Sequence, residues 1–424
     1  MESQPVRTGN PPGFPRYYSV MCKPAGPACN LQCEYCYYLS KEQLLDLPGL
    51  QAMPEDLLER FIAGYIRDTD AAEVAFDWQG GEPTLLGLDF FRKVVELQER
   101  HCLRGKSVIN NLQTNGALLD EAWCDFLWRN RFLVGLSVDG PRELHDTYRK
   151  SKGGQPTFDA VMEAVRLLKR KKVMFNTLTV INRVNALHPL DVYRFLTREV
   201  GSRLIQLIPM VEPKGFETTA PQGWLAERLP VSGSTAARPG TPDSMVQEWS
   251  VDPGDLGVFL CRIFDEWWQR DIGRYFVNLF ENSVAAWAGL PAQICVFGET
   301  CGRALALERD GNLYSCDHYV YPGYRLGNIR DRDLPSMVFS SGQEAFGMNK
   351  SRLLPAYCRA CQYRFACHGE CPRNRFVRTP DGEAGLNYFC PGFRIFFAHA
   401  DARLTQMVRE MGINSGRSVV RMQA

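Results

Sequence analysis

The stretch KPAGPACNLQCEYCYY, residues 23–38, follows a short β-rich run, RYYSVMCK (16–23), and sets Cys29, Cys33 and Cys36 at C-x3-C-x2-C spacing. Fifteen cysteines scattered at random along 424 residues would form such a triple roughly 0.02 times. Three thiolates on one short loop can hold three irons of a [4Fe–4S] cube and leave the fourth iron open. An open iron permits chemistry, whereas a fully ligated cluster only passes electrons. A structural zinc would need a fourth ligand close by, and Cys22 is the candidate for it.

Outward from that loop, EVAFDWQ (73–79), VINNLQT (108–114), FLVGLSV (132–138), VMFNTLTV (173–180) and LIQLIPM (204–210) read as further strands. Between them, LDFFRKVVELQERH (88–101) and FDAVMEAVRLLKRKK (158–172) carry apolar residues near helical spacing. Strands alternating with helices predict βαβ units and a parallel sheet of about six strands. Six are too few for a closed eight-stranded barrel, so the expected class is α/β, a partial (β/α)6 TIM-like barrel. The runs CNLQCEYC, GGEPT, TNG and DGP each follow a predicted strand. In parallel α/β sheets that end of the strands is the ligand face, so these loops are expected to converge.

Composition excludes several classes. The formal net charge is +1, which points to neither nucleic acid nor an anionic membrane surface as partner. No apolar run is long enough to span a bilayer, and the polar, proline-rich start MESQPVRTGNPPGFPRYY argues against a secretory signal. Clustered cysteines in a chain this large suit metal binding in a reducing, cytoplasmic compartment. Residues 1–15 read as a flexible tail and 16–272 as the barrel. Residues 213–250, rich in Pro, Gly, Ser and Thr, read as an exposed loop insertion. A helix over 253–272 leads into a cysteine-rich domain, 273–400. A closing helix over 393–412 opens the last segment, and 401–424 is its helix end and tail.

That second domain holds Cys295, Cys301, Cys316, Cys358, Cys361, Cys367, Cys371 and Cys390. Eight thiolates make two full sets of four, for two clusters or two structural zinc ions. Cys22, Cys102, Cys124 and Cys261 remain as small hydrophobes or ordinary thiols.

The cysteine triple, Tyr35 before its last member and GGEP at 80–83 together resemble the radical S-adenosylmethionine superfamily. The resemblance implies that Cys29, Cys33 and Cys36 hold a [4Fe–4S] cluster whose open iron binds S-adenosylmethionine. It places Tyr35, Gly81, Ser137, Asp139, Arg149 and Val211 at that cofactor. From Cys301, C-x9-G-x4-C followed by C-x2-C-x5-C-x3-C and a last cysteine resembles the SPASM extension. That likeness assigns Cys295, Cys301, Cys316 and Cys371 to one auxiliary [4Fe–4S] cluster and Cys358, Cys361, Cys367 and Cys390 to another, three clusters in all.

Along most of the chain, through FDWQGGEPTLLGLDFF, NNLQTNGALLDE, FLVGLSVDGP, CDHYVYPGYRLGNI and LNYFC, the sequence is similar to anaerobic sulfatase-maturating enzymes. The similarity implies oxidation of a cysteine or serine on a sulfatase polypeptide, within a C/S-x-P-x-R motif, to Cα-formylglycine. It implies a 5′-deoxyadenosyl radical, Asp317 as the base with His318 beside it, and an electron donor such as flavodoxin or ferredoxin. Gln113 and Asn115 are expected to orient substrate or cofactor, and Tyr38 to line the same cavity, against plain core or turn roles. Two rival readings stand beside this one. The first is a SPASM enzyme that crosslinks or epimerises a small ribosomal peptide, and the second is a non-catalytic zinc scaffold.

Overall fold

The computed structural model describes residues 16–221 and 226–412. The expected tails at 1–15 and beyond 412, and 222–225 within the insertion, lie outside the described residues.

The predicted strands form β1 (Ser19–Lys23), β2 (Glu73–Trp78), β3 (Ser107–Thr114), β4 (Leu133–Ser137), β5 (Phe175–Ile181) and β6 (Leu204–Pro209). They lie side by side in chain order, all parallel. Alternation decides which way each side chain points. In β2, Val74, Phe76 and Trp78 are buried while Ala75 and Asp77 are part-exposed on the opposite, concave face. The crossover helices cover the outer face. Helix Phe158–Arg170 turns Val161, Ala164, Val165, Leu167 and Leu168 inward, each large side chain contributing about 1.5–3 kcal/mol on full burial.

The sheet does not stop at six strands. β7 (Phe276–Val277) adds parallel to β6. On the opposite edge β8 (Ala304–Glu308) adds parallel to β1, in register from Ser19↔Ala304 to Lys23↔Glu308. β9 (Asn312–Tyr314) and β10 (Arg325–Asn328) continue antiparallel. The result is one open ten-stranded sheet, β10-β9-β8-β1-β2-β3-β4-β5-β6-β7. The additions escape a periodicity reading because β7 is two residues long and ALALE in β8 is buried on both faces over four of five positions.

Helix Pro253–Arg270 crosses the closing helix, which begins at Cys390 and runs to Glu410. The backbones approach so closely that a Cβ on Gly392 would lie 2.2 Å from the Pro253 carbonyl oxygen. Cys390 therefore opens a helix that is locked onto the barrel. No helix among the described residues is long and apolar enough to cross a membrane.

The insertion departs from the expected exposed loop. Phe216, Leu229, Ala237 and Val246 are buried, and Pro213 pairs with Val246 while Val231 pairs with Arg378. Phe216 meets the ring of Phe376, and the Tyr321 hydroxyl donates to the Phe216 carbonyl at 2.6 Å. Its Pro, Gly and Ser content prevents regular structure, but widely spaced apolar anchors seat it between the barrel and the cysteine-rich region.

Candidate active site and cysteine sets

The loop carrying Cys29, Cys33 and Cys36 is clamped by the GGEP turn. Gly81 N–H donates to the Gly26 carbonyl and Glu82 N–H to the Ala28 carbonyl, both at 2.8 Å. A Cβ on Gly81 would sit 2.0 Å from the Ala28 oxygen, so glycine is required where the two loops touch. Gly80, at φ +139°, has its own Cβ position 2.9 Å from the Gly26 oxygen. The Glu82 carboxylate is fully buried and accepts from Thr84 N–H and hydroxyl, the Thr114 hydroxyl and Asn115 N–H. Asn115 in turn donates from Nδ2 to Asn30 at 2.8 Å and approaches the Cys29 sulfur at 3.8 Å. Three strand-end loops are thereby tied together.

A second group faces Cys33. Asp139 accepts from the Tyr35 hydroxyl, from Arg149 Nε at 2.9 Å and Nη2 at 3.3 Å, and from Val180 N–H at 2.9 Å. With four protein donors, the carboxylate fixes Arg149 and Tyr35 in place. His145 Nδ1 lies 3.4 Å from Asp139 N–H, and burial first, then the Arg149 charge, lowers its pKa to about 4. Ser137 is buried at the end of β4 and Val211 beyond the end of β6. The Val211 carbonyl accepts from Arg373 Nη1 at 3.1 Å, and Arg373 also pairs with buried Glu212. Cys33, Tyr35, Cys36, Tyr37, Glu212 and Trp249 line a cavity of about 360 Å³, so the insertion contributes to its wall.

Asp317 stands where the two regions meet. Its carboxylate accepts from the hydroxyl of Tyr37, the residue after Cys36, and lies 2.6 Å from the ammonium of Lys23, whose side chain is 1% exposed. Burial alone would raise the Asp317 carboxyl. The Lys23 and His318 charges and the Lys23 and Tyr37 hydrogen bonds outweigh burial and hold it at about 2. Lys23 also donates to Gln79 Oε1 at 3.2 Å and lies 3.8 Å from the centre of the Tyr38 ring. Gln79 donates to Gln113 at 2.5 Å. The Tyr38 hydroxyl donates to Glu308, which burial pushes up to about 7. His318, pushed down to about 4 by burial, places Nδ1 3.6 Å from the Cys371 sulfur.

The cysteines fall into three neighbourhoods. Cys29, Cys33 and Cys36 act on one another electrostatically, and burial raises Cys29 to about 12 and Cys33 to about 11. Cys316 feels Cys371 and Cys295, Cys371 feels Cys295, and Cys301 feels Cys295. Cys390 feels Cys358 and Cys361, and Cys367 feels Cys390 and Cys358. Cys358, Cys361, Cys367 and Cys390 also line a single cavity walled by Tyr357 and Phe397. Among the described residues no three His, Cys, Asp or Glu side chains converge on the position of one metal ion. A cube does not require that, because each thiolate binds a different iron. Three partly buried thiols beside an open cavity, and two sets of four, fit iron–sulfur clusters. Cys22 points the other way, into the apolar core at 1% exposure, which removes it as a fourth ligand of the first set. Cys124 is likewise core, Cys102 is exposed and Cys261 is part-buried.

Comparison with known proteins is decisive for the family. Residues 24–196 match the radical SAM superfamily and 295–362 the SPASM iron–sulfur cluster-binding domain. The serine-type anaerobic sulfatase-maturating enzyme of Bacteroides thetaiotaomicron is 42% identical over 399 residues, 94% of this chain and 93% of that one. The cysteine-type enzyme of Clostridium perfringens is 32% identical over 93% of this chain and 99% of its own length. The chain belongs to the anaerobic sulfatase-maturating enzymes. A solved relative, native anSMEcpe with bound AdoMet and Cp18Cys peptide, superposes with a TM-score of 0.78 at 32% identity, covering 93% of this chain and 99% of that chain.

Within this sulfatase-maturase frame, the structure brings Tyr35, Asp139 and Arg149 together beside Cys33. It also brings Gly81 and Asn115 to Cys29, and Tyr38 and Gln113 to the Lys23 group. Sequence reading missed Lys23, Gln79, Glu82 and Glu308. GGEP and WQ are visible signals for Glu82 and Gln79, which flank the glycines. Nothing local marks Lys23 or Glu308, because a charged residue ending a strand reads as solvated until both faces are covered.

Proposed function

We propose that this chain oxidises a cysteine or serine of a sulfatase polypeptide, in a C/S-x-P-x-R motif, to Cα-formylglycine. The observation that carries the reading is the place of Asp317, hydrogen-bonded to the neighbour of Cys36 and itself the neighbour of Cys316. A base there stands between the loop that initiates the reaction and a cysteine set able to receive an electron. When bound, a [4Fe–4S] cluster on Cys29, Cys33 and Cys36 with S-adenosylmethionine supplies a 5′-deoxyadenosyl radical, which takes one hydrogen atom from Cβ of the target.

The protein's residues then divide the work. Gly80 and Gly81 keep backbone bare at the cofactor loop, and Asp139 holds Arg149 and Tyr35 rigid against it. Ser137 and Val211, at two strand ends, would border the cofactor. Asp317 takes the proton of the target's thiol or hydroxyl. Held at about 2 beside Lys23, its carboxyl is ionised at neutral pH and so able to accept that proton. Gln113 and Gln79 orient the peptide with side-chain amides able to pair with backbone, Asn115 steadies the loop of Cys29, and Tyr38, buried rather than lining the cavity as expected, braces Lys23 and Glu308.

The balance is one hydrogen atom to the radical, one proton to Asp317 and one electron to an acceptor. Serine yields the aldehyde directly. Cysteine yields a thioaldehyde that water converts to the aldehyde with loss of sulfide. Cys295, Cys301, Cys316 and Cys371, and Cys358, Cys361, Cys367 and Cys390, would hold two auxiliary clusters, bringing the total to three. A flavodoxin- or ferredoxin-type carrier would supply the initiating electron, in a reducing compartment such as the cytoplasm.

The test is anaerobic incubation with cofactor, strong reductant and two motif peptides, followed by mass spectrometry. The serine peptide should lose two hydrogens, and the cysteine peptide should also exchange sulfur for oxygen. Cofactor cleavage with neither peptide altered would overturn the substrate assignment.

A further inference from the structure

Among the described residues, a buried lysine and a half-buried arginine in the cysteine-rich region make no ion pair. Lys350, 1% exposed, lies in helix Ser341–Arg352 and donates from Nζ to the carbonyls of Cys295 at 2.6 Å and Val296 at 2.9 Å. Arg375 donates to four carbonyls, those of Lys350 at 2.6 Å, Gly369 at 2.9 Å, His368 at 3.0 Å and Glu370 at 3.3 Å. Neither forms an ion pair with a carboxylate among the described residues. The nearest acid, Glu370, accepts instead from Asn374 at 3.0 Å and Asn387 at 2.6 Å.

The loop that grips Arg375 is built for it. His368, Gly369 and Glu370 run consecutively at φ 46°, 72° and 51°, a left-handed path that aims their carbonyls at one guanidinium. A Cβ on Gly369 would lie 2.7 Å from Arg375 Nη2. This segment joins Cys367 of one set to Cys371 of the other. Arg375 accordingly acts electrostatically on Cys358, Cys371 and Cys367, and Lys350 on Cys371, Cys301 and Cys295.

A buried charge is costly unless an opposite charge meets it, and carbonyls solvate without neutralising. Among the described residues the anions set against this pair are thiolates and the Glu370 carboxylate, which both cations feel but neither hydrogen-bonds. We infer that Lys350 and Arg375 are the built-in counter-charges of the two auxiliary cysteine sets and favour the one-electron-reduced state of the clusters held there. The inference rests on the reading that these eight cysteines hold iron–sulfur clusters. A cluster with four thiolates is anionic and gains one more negative charge on reduction, so a fixed cation stabilises its reduced form more. Burial keeps salt from screening the effect. In turnover, the electron that leaves the target as its proton goes to Asp317 is drawn to the set beside Lys350. It returns to a one-electron carrier of the flavodoxin or ferredoxin class.

The test is an EPR-monitored redox titration of the full-length, anaerobically reconstituted protein. Cys29→Ala, Cys33→Ala and Cys36→Ala are introduced together to leave only the auxiliary signals. Lys350→Met should shift the reduced-to-oxidised ratio at fixed potential about tenfold toward oxidised, a fall of about 59 mV for one electron. Arg375→Gln should shift both auxiliary signals in the same direction, and Lys350→Arg should restore most of the wild-type value. Unchanged midpoints with iron content intact overturn the inference. So does loss of iron from the charge-preserving Lys350→Arg and Arg375→Lys proteins, which would make both residues merely structural. Zinc in place of iron at the eight cysteines overturns the inference together with the reading beneath it. Shifted midpoints in a protein that makes no formylglycine would uphold the inference and remove only the substrate.

Discussion

The ammonium of Lys23, at the carboxyl end of β1, lies 2.6 Å from the carboxylate of Asp317, on the turn after β9. The contact exists because β8 lies parallel against β1, with Glu308 in register opposite Lys23. It carries the first prediction. Lys23→Met leaves Asp317 buried without its cation, and formylglycine formation should fall on the order of 10²-fold, the usual range for a misplaced base. Release of 5′-deoxyadenosine should fall much less. Combined with Asp317→Asn it should add little, since both changes remove one function. Additive losses in chromatographic assays of both products would separate the two residues.

Asp317→Asn by itself should spare cofactor cleavage and suppress peptide oxidation by a similar factor. Parallel loss of both products would remove Asp317 from the role of base.

Gly81→Ala tests the clamp on the first cysteine loop. Its Cβ would meet the Ala28 oxygen at 2.0 Å, and backbone must move, at a cost of about 1–3 kcal/mol. Iron analysis of the anaerobic protein should show loss of about four irons from a full complement of about twelve, with cofactor cleavage abolished. A protein that keeps all its iron and its cleavage activity would refute the clamp.

Acid sensitivity should trace in part to His145. Burial first, then Arg149, lowers its pKa from 6.5 to about 4 in the folded chain. Between those values the unfolded chain binds a proton that the folded chain refuses, so stability falls as pH drops from 6.5 to 4 and no further below. The full contribution is about 3 kcal/mol. Urea unfolding at pH 7 and pH 5 should show a smaller difference in His145→Gln than in the parent protein. An equal difference would place the acid sensitivity elsewhere.

Much of the fold was legible in sequence. Six strands alternate with amphipathic helices whose 3.6-residue and two-residue periods are local properties, and all six appear in the predicted order. The open sheet's further strands were not legible, because they are short or buried on both faces. The insertion misled for the opposite reason. Its coil composition was read correctly, but composition carries no information on what Phe216 and Val246 dock against.

What the sequence by itself determined is the cysteine spacing. Thiols at C-x3-C-x2-C, and eight more at characteristic intervals, carry the proposal of metal ligation wherever the chain places them, because the candidate ligand atoms and their spacing lie within short segments. What only the tertiary structure decided is which charges meet. Lys23, Asp317 and Glu308 come from segments nearly 300 residues apart, and Lys350 and Arg375 look like surface cations until a folded core surrounds them. Burial and long-range Coulomb partners are properties of the assembled sheet, and through them the fold, rather than any local motif, sets the position of the proposed base Asp317 and of the charges beside the two later cysteine sets.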